Sequence, residues 1–269
     1  MASIRTFSVG YCTHPACMAL KGGGLGSRCF PTRAYLLQTA HGLHLWDTGY
    51  ASHFFDAARG IYRLYPLVTP VHLEQHEPLV VQLRKEGIQP ADLRSIVVSH
   101  FHADHIAGLR DFPGVRIVCA AEGWQSIQGL TGLRALQRAF LPGLIPDDMA
   151  QRLCFVNELP TQALPPELGP FSHGAALDES GELMLVSLPG HAIGHLGAFV
   201  RQGDGWTLLA SDAAWAHENY VELRGPSEIS FLIQHRRAEY YSTLRNLNHL
   251  HSRGIDIRLT HGPLGTDEA

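Results

Sequence analysis

Residues Ser99 to Gly108 read SHFHADHIAG and crowd His100, His102, Asp104 and His105 into six positions. Imidazole nitrogen and carboxylate oxygen are ligands for divalent transition metals. A surface loop gains little from such crowding, and a core would have to satisfy every ring nitrogen, so the stretch points to a metal site. If the apolar run from Ser95 to Ser99 is a strand, alternate side chains share a face, and His100, His102 and Asp104 start on one side. Asp104 and His105 are adjacent. They converge on a second ion only if the backbone turns there, as it does if Asp104 opens a helix.

The remaining ligands must come from distant sequence. LMLVSLPGH puts His191 just past an apolar run, LLASDA puts Asp212 at the end of another, and DIRLTHGP puts His261 after the last. Each stands beside a turn at a strand end, where such residues can meet above a sheet. A structural zinc saturates four positions, usually with cysteine. The candidates here are five histidines and two aspartates.

The elements that must position these residues are read from hydrophobic periodicity. Short apolar runs at Ile4 to Val9, Ala34 to Gln38, Leu43 to Asp47, Ser95 to Ser99, Val115 to Ala120, Leu183 to Leu188, Leu196 to Val200, Thr207 to Ser211 and Ile257 to Thr260 suit strands. Glu77 to Glu86 and Ile233 to Arg253 carry apolar residues at helical spacing. Between about 122 and 180 the character changes to helical material (Leu130 to Ile145) and then a Pro-rich stretch, TQALPPELGPFSHG, expected to form a surface loop. This segment is expected to be an inserted wall or lid within a single domain spanning 1–269. An aromatic cluster, Tyr50, Phe54, Phe55, Tyr62 and Tyr65, is either core packing or the lining of an apolar site.

Composition excludes several functions. Net charge is −4 over 269 residues, with no Lys/Arg block, so neither nucleic acid nor an anionic membrane is an expected partner. No charged segment followed by a long apolar run opens the chain, and no apolar stretch approaches the roughly 20 residues of a spanning helix, which gives a cytoplasmic reading. The five cysteines form no CxxC pair and are expected as free thiols. Cys12, His14 and Cys17 lack the spacing of a standard zinc knuckle. GGGLGSR lacks the Lys of a phosphate-binding loop and reads as a turn. Of the 17 histidines, His41, His44, His53, His72, His76, His173, His235, His249 and His251 have no ligand-like neighbourhood.

Taken in order, LHLWDTG, SHFHADHIAG, PGH, SDA and THG resemble the metallo-β-lactamase superfamily along nearly the whole chain. The resemblance implies an α/β fold, an αββα sandwich with a two-metal site in a cleft at one edge of the sheets. It implies that His100, His102 and His191 hold one ion, that Asp104, His105 and His261 hold the other, and that Asp212 bridges them. Asp47 would stand behind the ligands and orient their loop. Two divalent ions per chain are expected. Zinc suits the donor set best, with iron, manganese or cobalt as alternatives. Water between the two cations would lose a proton near neutral pH and attack a polarised carbonyl or phosphoryl group, with Asp104 shuttling the proton to the leaving group.

Within the superfamily the chain looks most like the N-acyl-homoserine lactonases. Those enzymes place a tyrosine three residues after the bridging aspartate, where its hydroxyl contacts the substrate carbonyl. Trp215 stands here, and its indole N–H is the expected donor. Tyr50, Phe54, Trp215 and Tyr220 are expected to line an apolar substrate channel. The partner is then a small ester or lactone, and the lid aromatics would serve equally as a homodimer face. The alternatives are a thioester hydrolase like glyoxalase II, a phosphodiester hydrolase, or a metabolite sensor built on the same fold.

Overall fold

Each of the nine apolar runs overlaps a strand of the computed structural model, which describes residues 1–262; the last seven positions of the expected domain lie outside the described residues. The first sheet holds β1 (Ser3–Pro15), β2 (Ser27–Thr39), β3 (Gly42–Trp46), β4 (Val71–His72), β5 (Leu93–Val97), β6 (Arg116–Cys119) and β7 (Leu153–Phe155), in the order β4-β1-β2-β3-β5-β6-β7. The second holds β8 (Thr161–Ala163), β9 (His173–Ala176), β10 (Leu183–Ser187), β11 (Leu196–Gln202), β12 (Gly205–Ser211) and β13 (Asp256–Leu259), in the order β13-β12-β11-β10-β9-β8.

Strand alternation explains the layering. In β10, Leu183 and Leu185 face the first sheet, while Met184 and Val186 face the other way. Both faces are covered, so the run is continuously apolar. Between the sheets Tyr35, Leu37, Trp46, Val97 and Val118 meet Leu183, Leu185, Ala198, Val200 and Leu209. Outside the second sheet, Tyr240, Leu244, Leu247 and Leu250 of helix Arg237–Ser252 pack on Met184, Val186, Phe199 and Leu208. Helix Leu79–Lys85 and helix Ala121–Ile127 cover the first sheet's outer face. This is the αββα order.

Strand direction gathers the site at one edge. β3, β5 and β6 run parallel, and β12 and β13 run parallel. β10 and β12 are each antiparallel to β11 and so share a direction. The residues just past β3, β5, β10, β12 and β13 therefore emerge together. Two of these exits adopt a left-handed backbone, Asp47 at φ 58° and Ser211 at φ 46°. Such conformations cost on the order of 1–3 kcal/mol each and persist where the surroundings impose them.

The expected inserted segment differs from its sequence reading. Its first part is helical, with helix Ala121–Ile127, helix Gly132–Leu136 and helix Met149–Arg152. Its second part supplies β7 to one sheet and β8 and β9 to the other. The stretch expected as a Pro-rich loop thus contains an edge hairpin, Thr161↔Ala175 to Ala163↔His173. Strands of three or four residues interrupted by Pro and Gly carry too little alternation to be read. Among the described residues no helix is long and apolar enough to cross a membrane.

Candidate metal centre

β5 carries Val97 into the sheet interior, and the next residues leave it as ligands. His102 flanks the short helix Ala103–Ile106, so Asp104 and His105 turn into the cleft while Phe101 and Ala103 pack behind. The turn anticipated at Asp104 is present. Gly190 lets His191 reach the site: at φ 124° its backbone lies so close to the last helix that a Cβ would stand 2.1 Å from the Tyr240 amide nitrogen. Backbone bonds from His235 and Arg236 to the carbonyls of His191 and Gly190 hold that loop.

Seven side chains from these exits form two overlapping sets. His100, His102, His191 and Asp212 make one, and Asp104, His105, Asp212 and His261 the other, with the donor atoms of each set within 4.8 Å of one another. In the first, His191 Nε2 lies 3.2 Å from His100 Nε2, 3.0 Å from His102 Nδ1 and 3.5 Å from Asp212 Oδ2. In the second, His105 Nε2 lies 3.4 Å from both Asp104 Oδ2 and Asp212 Oδ1, and His261 Nε2 lies 3.3 Å from Asp104 Oδ2 and 3.2 Å from Asp212 Oδ2. All seven residues are buried.

The donor chemistry fits divalent ions. Ligands about 2.0–2.1 Å from a tetrahedral zinc stand about 3.3–3.4 Å from each other, close to the spacings here. The opposite ring nitrogens are occupied: His105 Nδ1 meets Asp47 Oδ2 at 2.8 Å, His100 Nδ1 meets Ser99 Oγ at 3.0 Å, and His261 Nδ1 meets the Pro31 carbonyl at 2.8 Å. Each of these rings therefore aims Nε2 inward. His105 Nε2 and Asp212 Oδ1 are buried without a hydrogen-bond partner, and a cation is what would satisfy them.

Charge gives the same answer. Burial lowers the pKa of His100 and His191 far below the usual imidazole value and that of His102 to about 4, so these rings are neutral ligands. Burial would do the same to His105 and His261, but Asp104 and Asp212 reverse it and hold both well above the usual value. Burial would raise the Asp212 carboxyl, and His261 and His105 instead hold it well below.

The Asp47 carboxylate accepts the Ser99 amide and hydroxyl at 2.8 and 2.7 Å and faces His105 Nδ1. The cleft beside the donor sets is lined by Tyr50 and Trp215, as expected, and also by Cys12, His14, Phe30 and Tyr65. Two expected lining residues do not reach it. Phe54 is fully buried on helix His53–Ala57 with its ring against Tyr50 and Tyr65. Tyr220 packs under the second sheet beside His217 and His251. Trp215 also departs from its expected role. Its Nε1–H donates to Asp212 Oδ2 at 2.8 Å and is not free for a substrate. The Cys12, His14 and Cys17 group is not among the metal-capable clusters of the described residues, and His14 bonds Thr69 instead.

His195 was not anticipated. Fully buried, its Nε2 accepts the Asp212 amide at 3.3 Å and so steadies the aspartate common to both donor sets, and burial lowers its pKa to about 3. A second imidazole four residues after His191, at the head of an apolar strand, was the available signal. Phe101, Ser126, Gln137 and Arg138 border a second opening beside His102 and His191, so the helical part of the 122–180 segment does flank the centre.

Residues 27–262 match the Metallo-beta-lactamase superfamily. The chain belongs to that superfamily. A probable metallo-hydrolase of Mycobacterium tuberculosis is 29% identical over 265 residues, covering 93% of this chain and 76% of the relative. An N-acyl homoserine lactonase of Bacillus cereus is 24% identical over 199 residues, covering 71% of this chain and 67% of that one. Among solved structures, a Bacillus thuringiensis AiiA variant with N-decanoyl-L-homoserine at its active site superposes with a TM-score of 0.68 at 19% identity, over 96% of this chain and 92% of that chain. AidC, a dizinc quorum-quenching lactonase, gives 0.67 at 16% identity, over 97% and 88%. As a superfamily member carrying a complete His/Asp donor set, the protein is a metallo-hydrolase.

Proposed function

We propose that the protein is a binuclear hydrolase with zinc at both positions, opening a lactone of the N-acyl homoserine type. The observation that carries this is the sharing of Asp212 by two donor sets that have no other ligand in common. The lactonase relatives support the substrate class, as does a cleft whose Met18, Phe30 and Ile233 walls suit an acyl group beside the polar donors.

When bound, the two cations supply an acidified water and an electrophilic contact for the carbonyl oxygen. The chain does the rest. Asp47, Ser99 and the Pro31 carbonyl fix the rings of His105, His100 and His261 so that no reorganisation is needed as charge develops. Asp104 lines the cleft and can take the proton of the attacking water at Oδ2 and pass it to the ring oxygen as the acyl C–O bond breaks. Phe30 and Trp215 exclude bulk water on one side.

The test is metal analysis together with hydrolysis of lactone, thioester and phosphodiester substrates. About two metals per chain with lactone turnover support the proposal. Thioester or phosphodiester turnover alone would keep the ligand roles and replace the substrate, and two metals without turnover would favour a sensor.

A further inference from the structure

Few polar hydrogens in the cleft remain unspent. Trp215 Nε1–H is taken by Asp212, the Tyr50 hydroxyl stands beside the Cys12 thiol, and the Thr69 hydroxyl pairs with His14 Nε2 at 2.9 Å. Tyr65 is different. It sits on helix Leu64–Val68, its ring is edge-on to Phe54 at a centroid distance of 5.3 Å, and only 9% of the residue is exposed. It lines the same cleft as Asp104 and Asp212, and among the described residues its hydroxyl makes no hydrogen bond. A hydroxyl held in a largely apolar wall without a protein partner must bond to cleft water or to a ligand, because leaving it unpaired costs free energy. Phe54 fixes the ring, so the O–H is presented in place before any ligand arrives.

We propose that Tyr65 is a catalytic residue whose phenolic O–H donates a hydrogen bond to the carbonyl oxygen of the substrate. The inference rests on reading the cleft as an ester or lactone hydrolase. The water oxygen adds to the carbonyl carbon, the acyl C–O bond breaks, and the water proton ends on the leaving oxygen. No bond to Tyr65 is made or broken. Its hydrogen bond strengthens while the carbonyl oxygen carries negative charge and relaxes when the carboxylate product forms, so the contribution falls mainly on kcat.

Tyr65→Phe removes the hydroxyl and keeps the ring that packs on Phe54. In the metal-loaded protein it is expected to lower kcat on the best lactone or ester by about 10–100-fold, with KM within about three-fold and metal content unchanged. Trp215→Phe is the contrasting variant: it removes a ligand's partner, so it should lower metal content, which Tyr65→Phe should not. Binding of N-hexanoyl-L-homoserine, followed by tryptophan fluorescence of the metal-loaded protein, gives a readout independent of turnover and should stay within about three-fold of the parent in Tyr65→Phe, as KM does. Parent turnover with a Tyr65→Phe kcat within about two-fold overturns this inference and leaves the hydrolase reading standing. A loss of metal from Tyr65→Phe also overturns it, since the residue would then act on the ligands. A metal-loaded parent that neither turns over nor binds the hydroxy acid overturns both.

Discussion

Asp47→Asn replaces one oxygen by an NH2 group in a site with no space to rearrange. Asp47 Oδ2 faces His105 Nδ1 at 2.8 Å, Ser99 Oγ at 2.7 Å and Ser211 Oγ at 3.4 Å. Oδ1 can still accept the Ser99 amide, and both serine hydroxyls can rotate to accept instead of donate. His105 has no such freedom. Its Nδ1–H would meet an NH2 donor, and the ring escapes only by moving its proton to Nε2, the nitrogen 3.4 Å from Asp104 and Asp212 that is needed as a ligand. Loss of a partner that orients a ligand costs about 10–100-fold in metal affinity, or about 1.4–2.7 kcal/mol. The loss should fall on the Asp104, His105, Asp212 and His261 set and leave the His100, His102 and His191 set nearly intact. Competition with a chromophoric chelator measures this directly, and two stepwise affinities both within two-fold of the parent would refute the reasoning.

Three further outcomes follow from the same geometry. At saturating metal, Asp104→Asn should lower kcat by about 10²–10⁴-fold with KM little changed, measured by steady-state kinetics; near-native kcat would remove the proton-carrying role. Stripping metal with a chelator should lower Tm by about 16–32 °C, since occupancy at a thousand times Kd contributes about 4 kcal/mol at each of the two sites and each kcal/mol shifts Tm by about 2–4 °C at this size; an unchanged melting curve would contradict it. Far from the centre, His44 is buried with Nδ1 at 2.8 Å from Ser95 Oγ, and burial lowers its pKa from the usual 6.5 despite Asp178. The unfolded chain therefore takes up a proton first, so stability is full above pH 6.5 and falls as pH drops toward the folded-state value. Tm of the metal-loaded protein between pH 7.5 and 5 should fall less in His44→Asn than in the parent, and equal slopes would show that His44 is not responsible. Asp178 has its own pKa lowered below 3.8 by hydrogen bonds from Ser180 and Thr39 against the opposing effect of burial, so its contribution is lost only below that window.

Most of the sandwich was legible because its main strands are buried on one or both faces, and burial leaves a four-to-six-residue apolar run whatever the neighbours. β4 was not, since it is two residues held by Tyr11 and Cys12 of β1. The ligands were legible for a related reason: each of His191, Asp212 and His261 follows an apolar strand closely, so sequence position nearly determines spatial position. Side-chain direction was not legible. Phe54 and Tyr220 follow Asp47 and Asp212 closely in sequence, yet one turns into the core of its helix layer and the other under the opposite sheet. Nor could the sequence tell that the Trp215 N–H points to Asp212, or that Tyr65, read as one of five clustered aromatics, brings a free hydroxyl into the cleft. Those depend on rotamers and on which elements the fold brings against each side chain.

The most direct measurement is the metal content of the purified, metal-replete protein by elemental analysis, alongside Asp212→Ala. Asp212 belongs to both donor sets, so the parent should hold about two divalent ions per chain and the variant should lose affinity for both together. A parent saturating at one ion, or a variant that loses one and keeps the other at parental affinity, would contradict the shared binuclear centre.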